Sequence, residues 1–236
     1  MDATPLANQP SEYIKASRDE KKIGKVRNLM VQAAHNGSDI FFRLSWEDDI
    51  QNTTITDNNV FPDGCGILMP LKGGDPPIDE MGSKDFPVNA WFWRADFNDQ
   101  ARNTIAQGLG TTLFSKQCPI QVKSLWGQGA WAVVFSRALA LPEQKDETVQ
   151  LAGGQSVKVG FAVWEGSNGE RAGVKSFSKE WRELALEALA QEDPWHTNRP
   201  QPKNRNSSAL RSWRHRRRVR RRCSSSRSAK SPWCST

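Results

Sequence analysis

Short apolar runs separated by turn-forming residues recur along the chain between residues 26 and 164. The runs are rich in Val, Ile, Phe and Trp, which favour strands, and the intervening clusters contain Gly, Pro, Asn and Asp, which favour turns. Asn36-Gly37 lies between two runs and predicts a β-hairpin. The pattern is typical of a mainly β domain, an antiparallel sandwich or a barrel. The predicted strands are 26–34, 40–46, 66–69, 88–93, 131–137 and 157–164.

Residues 178–191 fit two structures. Ser178 is a good helix cap, and Trp181, Leu184, Ala188 and Leu189 would then lie on one helical face. Residues 181–186 also fit a last strand. The Ala, Leu and Glu content favours a helix, but both interpretations stay open.

The two ends differ from the centre in composition. Residues 1–24 are polar, contain Pro5 and Pro10, and are interpreted as a flexible arm. Residues 196–236 are dominated by Asn, Pro, Ser and Arg, which cannot bury a core, so we expect a disordered tail. The predicted organisation is therefore an arm, a folded domain over residues 25–195 and a basic tail.

The formal net charge of +7 hides an asymmetry. Residues 196–236 contain thirteen Lys and Arg, which leaves 20 basic residues against 26 acidic ones before them. The run 214–222, with seven arginines, would ordinarily indicate nucleic acid or an anionic membrane as a partner. The acidic body and the missing apolar periodicity argue against that role. We favour a tail created by a reading-frame shift near residues 195–210, with an electrostatic arm as the alternative.

Several kinds of site and segment are missing from the sequence. The three histidines are His35, in a predicted turn, and His196 and His215, in or beside the tail, so no hydrolase, kinase or zinc motif is formed. No CxxCH motif is present, which excludes covalent c-type haem. Cys65 and Cys118 are either a disulfide or two buried thiols. Apolar runs reach about five residues where a membrane span needs about 20, so no membrane segment is expected.

Tryptophan is abundant, with ten residues in the chain. In Trp91-Phe92-Trp93, alternation along a strand places the two indoles on one face and Phe92 on the other. Three interpretations compete: the core of a sandwich, a stacking platform for sugars as in carbohydrate-binding modules, and a wall for a flat apolar cofactor.

An ordered set of motifs resembles one protein family. Over residues 25–190 the chain is similar to the haem b γ subunits of ethylbenzene dehydrogenase-like molybdenum enzymes, which include chlorate reductase, selenate reductase and dimethylsulfide dehydrogenase. The motifs are 46–49 (WEDD), 61–64 (FPDG), Met81-Gly82, 87–93 (PVNAWFW), 126–135 (WGQGAWAVVF), 161–166 (FAVWEG) and 173–176 (GVKS).

The resemblance implies a β-sandwich that holds one non-covalent haem b between two axial ligands, Met81 and Lys175, with Trp91 and Trp93 beside the cofactor. Met69 lacks the following glycine and is not the implied ligand. A thioether tends to raise the reduction potential of haem iron, and an amine binds iron only when it is deprotonated. Because both axial positions would be filled by protein, the resemblance implies electron transfer and no catalytic residue in this chain.

The resemblance also implies partners and a location. The expected assembly is a heterotrimer with a molybdenum α subunit and an iron–sulfur β subunit, exchanging electrons with a soluble c-type cytochrome. We expect the periplasm, although residues 1–24 show no signal-peptide pattern; a removed signal or export with a partner would explain this. Chlorate or selenate reductase is the favoured branch, and an ethylbenzene or dimethylsulfide dehydrogenase γ subunit is the alternative. The rival from another class is a Trp-rich carbohydrate-binding sandwich.

Overall fold

The fold was analysed in a computed structural model that describes residues 1–55 and 57–188. Its strands form two antiparallel sheets, which confirms the predicted mainly β class. The helical parts are α1 (Glu12–Ser17) and single 3-10 turns at Leu6–Asn8, Ala95–Phe97, Pro142–Gln144 and Gly166–Asn168. The strands are β1 (Asp2–Ala3), β2 (Met30–His35), β3 (Asp39–Glu47), β4 (Gly64–Pro70), β5 (Val88–Arg94), β6 (Arg102–Ala106), β7 (Leu113–Phe114), β8 (Gln121–Gly127), β9 (Ala130–Ala138), β10 (Ser156–Trp164), β11 (Ser176–Phe177) and β12 (Arg182–Ala185).

The two sheets differ in size. The larger sheet has the order β1-β11-β10-β4-β5-β6-β7, and β12 pairs with the first four residues of β10. The smaller sheet has the order β2-β3-β9-β8. The predicted hairpin joins β2 and β3, where Gly37 adopts a φ of +92° and the Asn36 side chain accepts hydrogen bonds from the N–H groups of Ser38 and Asp39.

The main core lies between the sheets and follows the alternation of the strands. One face of β4, β5 and β10 packs against the inward face of the smaller sheet. Aromatic pairs connect the two sides: the Phe42 and Trp91 ring centroids are 5.6 Å apart, and those of Trp93 and Trp131 are 5.1 Å apart. The opposite face of the same three strands is therefore not part of this core.

One segment resolves an open alternative, and another differs from the sequence-based interpretation. Residues 182–185 form strand β12 on β10, so within the described part of the chain residues 178–188 contain no helix. Residues 1–24 do not extend freely as an arm. Asp2 and Ala3 pair with Phe177 and Ser176, and Leu6 and Ile23 are buried although the segment is largely polar.

A group of buried carboxylates, the carboxylate cluster, lies where β3 and β10 end and β4 begins. Asp63 accepts hydrogen bonds from the N–H groups of Asn52 and Gly166 at 2.8 Å and from the Trp131 indole at 3.0 Å. Because Trp131 belongs to the smaller sheet, Asp63 ties the two sheets together. Burial raises the pKa of Asp63 to about 6 and that of Asp48 to about 7. The cluster consists of Asp48, Asp63, Glu165 and Glu170.

The remaining sequence-based expectations concern the cysteines, membrane segments, metal sites and the C-terminal tail. Cys65 and Cys118 are free thiols, one buried and one exposed. The described residues contain no helix long and apolar enough to cross a membrane, and no group of three or more His, Cys, Asp or Glu suited to a metal ion. The predicted disordered tail, residues 196–236, lies outside the described residues.

Candidate functional site

A cavity of about 450 Å³ lies on the outer face of the larger sheet. Its floor comes from residues that alternate with the core-facing ones on β4, β5 and β10. Three of these, Gly66, Ala90 and Ala162, are small, and Gly66 is paired with Ala162 across the strands. The small side chains leave a depression in the sheet surface. A cavity of this volume suits a small organic ligand or cofactor.

Aromatic rings border this depression. Phe92 and Trp164 meet edge to face with their ring centroids 5.1 Å apart, and Phe114 of the edge strand β7 lies beside them on the cavity wall. The lining is otherwise largely aliphatic. Such a surface favours a flat, apolar ligand.

The Met81 side chain enters the cavity from a strained turn. Met81 has a φ of +60°, which is uncommon for a residue other than glycine, and Gly82 follows with a φ of +84°. The turn is closed by the Gly82 N–H, which donates to the Pro77 carbonyl at 2.9 Å. A Cβ on residue 82 would lie 2.7 Å from the Phe86 carbonyl oxygen, so only glycine fits there. Strain of this kind concentrates at functional sites, and here it aims a thioether at the cavity.

Lys175 reaches the cavity from the loop that precedes β11. The side chain is almost fully buried, and burial lowers the pKa of its amine to about 8. Among the described residues, no carboxylate lies within ion-pair distance of it. The Nζ lies 5.6 Å from the centre of the Trp164 ring. A buried lysine without a counter-ion is costly unless its amine is neutral or binds a ligand.

The two implied ligands meet in the cavity although 94 residues separate them in sequence. The Lys175 Nζ lies 3.8 Å from the Met81 Sδ. Metal bonds to sulfur and nitrogen are about 2.3 and 2.0 Å long in zinc sites, so two donors that shared one metal ion would lie no more than about 4.3 Å apart. The observed distance is therefore within a small side-chain movement of metal ligation. A soft thioether and a neutral amine in an apolar cavity fit an iron porphyrin.

Trp91 and Trp93 have a different setting. Trp91 touches the cavity, but its ring packs against Phe42 and the Arg137 guanidinium in the core. Trp93 packs on Trp131, donates its indole N–H to the Asn98 carbonyl and is not among the cavity-lining residues. Their role beside a cofactor stays a prediction.

Several aromatic residues that line the cavity were not predicted from the sequence. Among them are Phe92 and Trp164 on the floor strands and Phe114 on the edge strand. The signal that could have found Phe92 was present, because alternation already placed it opposite Trp91 and Trp93.

Comparisons with known proteins agree with the motif-based resemblance. The family model described as ethylbenzene dehydrogenase matches residues 1–118 and 115–176. A proposed respiratory nitrate reductase heme subunit of Haloferax mediterranei is 34% identical over 75% of this chain and 60% of its own length. The chlorate reductase γ subunit of Ideonella dechloratans is 34% identical over 67% of this chain and 64% of its own.

A third relative is more distant, and solved structures resemble the chain weakly. The dimethylsulfide dehydrogenase γ subunit of Rhodovulum sulfidophilum is 29% identical over 66% of this chain and 59% of its own. A family 9 carbohydrate binding module from Caldicellulosiruptor kristjanssonii, in complex with glucose, has a TM-score of 0.40 to this chain. The two are 9% identical over 71% of this chain and 80% of that one, and this similarity is too weak to indicate a function. The chain spans 59 to 64% of the length of the three sequence relatives. On the family match, the chain belongs to the ethylbenzene dehydrogenase family.

Proposed function

We propose that the chain is a haem-binding electron-transfer subunit of an oxidoreductase complex, with one non-covalent haem b in the cavity on the larger sheet. The observation that carries the proposal is the 3.8 Å approach of Lys175 Nζ to Met81 Sδ inside an apolar cavity. The named heme subunit among the relatives supports the same cofactor. A haem bound there would supply one-electron redox chemistry.

The roles of the two ligands follow from their chemistry. Met81 offers a neutral, polarisable sulfur, which favours reduced iron. Lys175 must offer a neutral amine, and its burial already lowers the pKa towards that form. With Met81 and Lys175 both holding the cofactor, the chain would leave no open site for oxygen or a substrate. The site is therefore suited to passing electrons and not to substrate chemistry.

The cavity walls have a second role in this proposal. Phe92, Phe114 and Trp164 would form the apolar wall against a bound haem. Arg171 is the one lining residue besides Lys175 that carries a positive charge, and it is exposed at the rim. Its guanidinium suits the carboxylates of a haem.

We further propose the assembly implied by the relatives. The chain would act as the γ subunit of a heterotrimer, with an iron–sulfur β subunit and a molybdenum α subunit, and exchange electrons with a soluble c-type cytochrome in the periplasm. A chlorate or selenate reductase is the favoured complex, and the relation to a dimethylsulfide dehydrogenase γ subunit supports the dehydrogenase alternative. Cell fractionation that found the native protein only in the cytosol would contradict the location.

The test of the haem proposal is the absorption spectrum of the full-length chain produced with haem available. We expect a red protein with a Soret band, split α and β bands on reduction, and complete extraction of protohaem by acidified acetone. Colour that stayed with the polypeptide would contradict the b-type assignment. A colourless protein that bound a glycan would favour the carbohydrate-binding alternative.

A further inference from the structure

The N-terminal segment contacts the loops that carry both implied ligands. We call residues 2–9 the strap. β1 of the strap pairs with β11, so Ala3 lies opposite Ser176, the residue after Lys175. The next strap residue, Thr4, is fully buried and donates two hydrogen bonds to the Lys175 carbonyl, from its N–H at 3.1 Å and its hydroxyl at 3.0 Å. The backbone of the implied lysine ligand is therefore fixed by the strap.

A second contact holds the same loop two residues earlier. The Gln9 side chain is buried and donates to the Gly173 carbonyl at 3.2 Å. A Cβ on residue 173 would overlap the Gln9 amide, so the glycine permits this close approach. Between these two contacts, Leu6 of the strap packs with Val174 and Ile23 in a small separate core. Polar and apolar contacts together restrain the whole of the 173–175 loop.

The strap also reaches the other ligand. The Asn8 amide donates to the Asp79 carboxylate at 3.2 Å, two residues before Met81. Directly after the strap, Pro10, Ser11 and Ile14 line the cavity. One short segment thus contacts both ligand loops and leads into the cover of the cavity.

We propose that Thr4, Asn8 and Gln9 are positioning residues that hold Met81 and Lys175 at ligating distance and slow the loss of haem. The inference rests on the proposed function, because it concerns the haem ligands. Its physical basis is that ligands on two separate loops are oriented by the hydrogen bonds behind them, and loss of such bonds weakens metal binding. Haem would then leave the site only after the strap contacts break.

The test is haem transfer from the full-length protein to an excess of haem-free globin. In Thr4→Val with Gln9→Met, both side-chain donors are removed at nearly constant volume. We expect haem loss to be about tenfold faster, since two net hydrogen bonds are lost, and part of the ferric protein to become high-spin. Asn8→Ala should accelerate loss about threefold, because its hydrogen bond is less buried.

Two controls separate positioning from general destabilisation. Thr4→Ser keeps the hydroxyl donor and should transfer haem as slowly as the wild-type protein. Gln150→Met removes a glutamine that accepts from the Leu141 N–H at 2.6 Å and donates to the Thr148 carbonyl at 2.8 Å, away from the cavity. It should lower the melting temperature of the haem-free protein without changing haem loss or the spectrum.

The outcomes are distinguishable. If the strap variants lose haem at the wild-type rate and keep the low-spin spectrum, the positioning role is wrong while the haem proposal stands. If they lose haem no faster than Gln150→Met at equal loss of melting temperature, the effect is only structural and the inference is also overturned. A wild-type chain that binds no haem would overturn the function and the inference together.

Discussion

The Met81–Lys175 pair and the carboxylate cluster are both buried, yet the protein satisfies them differently. In the cluster, Asp63 accepts three hydrogen bonds from surrounding N–H groups, and Glu170 accepts from the N–H groups of Lys25 and Glu165. Among the described residues, the polar and aromatic contacts of the Lys175 amine are with the Met81 thioether and the Trp164 indole face. Apart from one oxygen of Asp48, the cluster is therefore paired within the described residues, whereas the Lys175 amine has no oxygen or nitrogen partner there.

The difference teaches how to separate a structural site from a functional one. Both regions have shifted pKa values, since burial raises those of Asp48 and Asp63 and lowers that of Lys175. The hydrogen-bond partners distinguish them. A buried ionisable group that is paired stabilises the fold, and one with no oxygen or nitrogen partner at all, such as Lys175, is a candidate for ligand binding.

Removal of the ligands should have the largest effect. Met81→Ala and Lys175→Ala should each abolish the six-coordinate low-spin spectrum and weaken haem binding by about 100-fold or more, because even changes behind a ligand cost 10- to 100-fold. The measurements are absorption spectroscopy and haem titration. Met69→Leu is the control, since Met69 is buried in the core and should leave the spectrum intact. Wild-type spectra in both ligand variants would show that the pair is not the haem site.

Removal of a cluster member should act on stability and not on haem. Asp63→Ala leaves the N–H groups of Asn52 and Gly166 and the Trp131 indole without their acceptor, so we expect a loss of about 3 kcal/mol in the free energy of unfolding. Urea unfolding measures this loss. Asp99→Ala is the control, because that carboxylate is exposed and bonded to the exposed Lys123. A folded Asp63→Ala protein with an altered haem spectrum would show that the two regions are coupled.

Replacement of Lys175 should raise the free energy of unfolding of the haem-free protein, whereas replacement of Asp63 should lower it. Its pKa is about 8 in the fold and about 10.4 in an unfolded chain, so below pH 8 burial of the ammonium destabilises the fold. Lys175→Met removes that penalty, and we expect a gain of about 2 kcal/mol at pH 7. Wild-type stability should rise between pH 8 and pH 10.4, where the unfolded state binds more protons. The gain of the variant should therefore shrink in urea unfolding at pH 10. A variant less stable than wild type at pH 7 would indicate a structural lysine.

The sequence predicts the two regions unequally. The apolar runs located β3, β5, β9 and β10, because strands with one face in the core carry alternating apolar residues. β6 was missed because it is polar.

Strand β6 contains the buried Asn103, which forms hydrogen bonds with Asn89 and Thr148. Hydrophobic patterning cannot detect such a polar network. The pairing of Met81 with Lys175 has no local signal either. Only the family resemblance suggested it, since tertiary packing joins loops 94 residues apart.

The smallest effect we predict concerns Asp48, the cluster member that is least well satisfied. Its carboxylate accepts from the Ile50 N–H at 3.2 Å, and its second oxygen has no hydrogen-bond partner among the described residues. Burial, then the charge of Asp63, raises its pKa to about 7. In the fold Asp48 is therefore protonated more readily than in the unfolded chain, whose Asp pKa is about 3.9. The stabilisation that protonation gives is complete below pH 4 and is lost as the pH rises through 7.

Asp48→Asn is neutral at every pH and should be about 1 kcal/mol more stable than wild type at pH 8. The advantage should decline through pH 7 and vanish near pH 4. Thermal unfolding of both proteins from pH 4 to pH 8 measures it, and the haem spectrum should not change. An advantage that is independent of pH would show that Asp48 does not titrate between pH 4 and pH 8 in the fold.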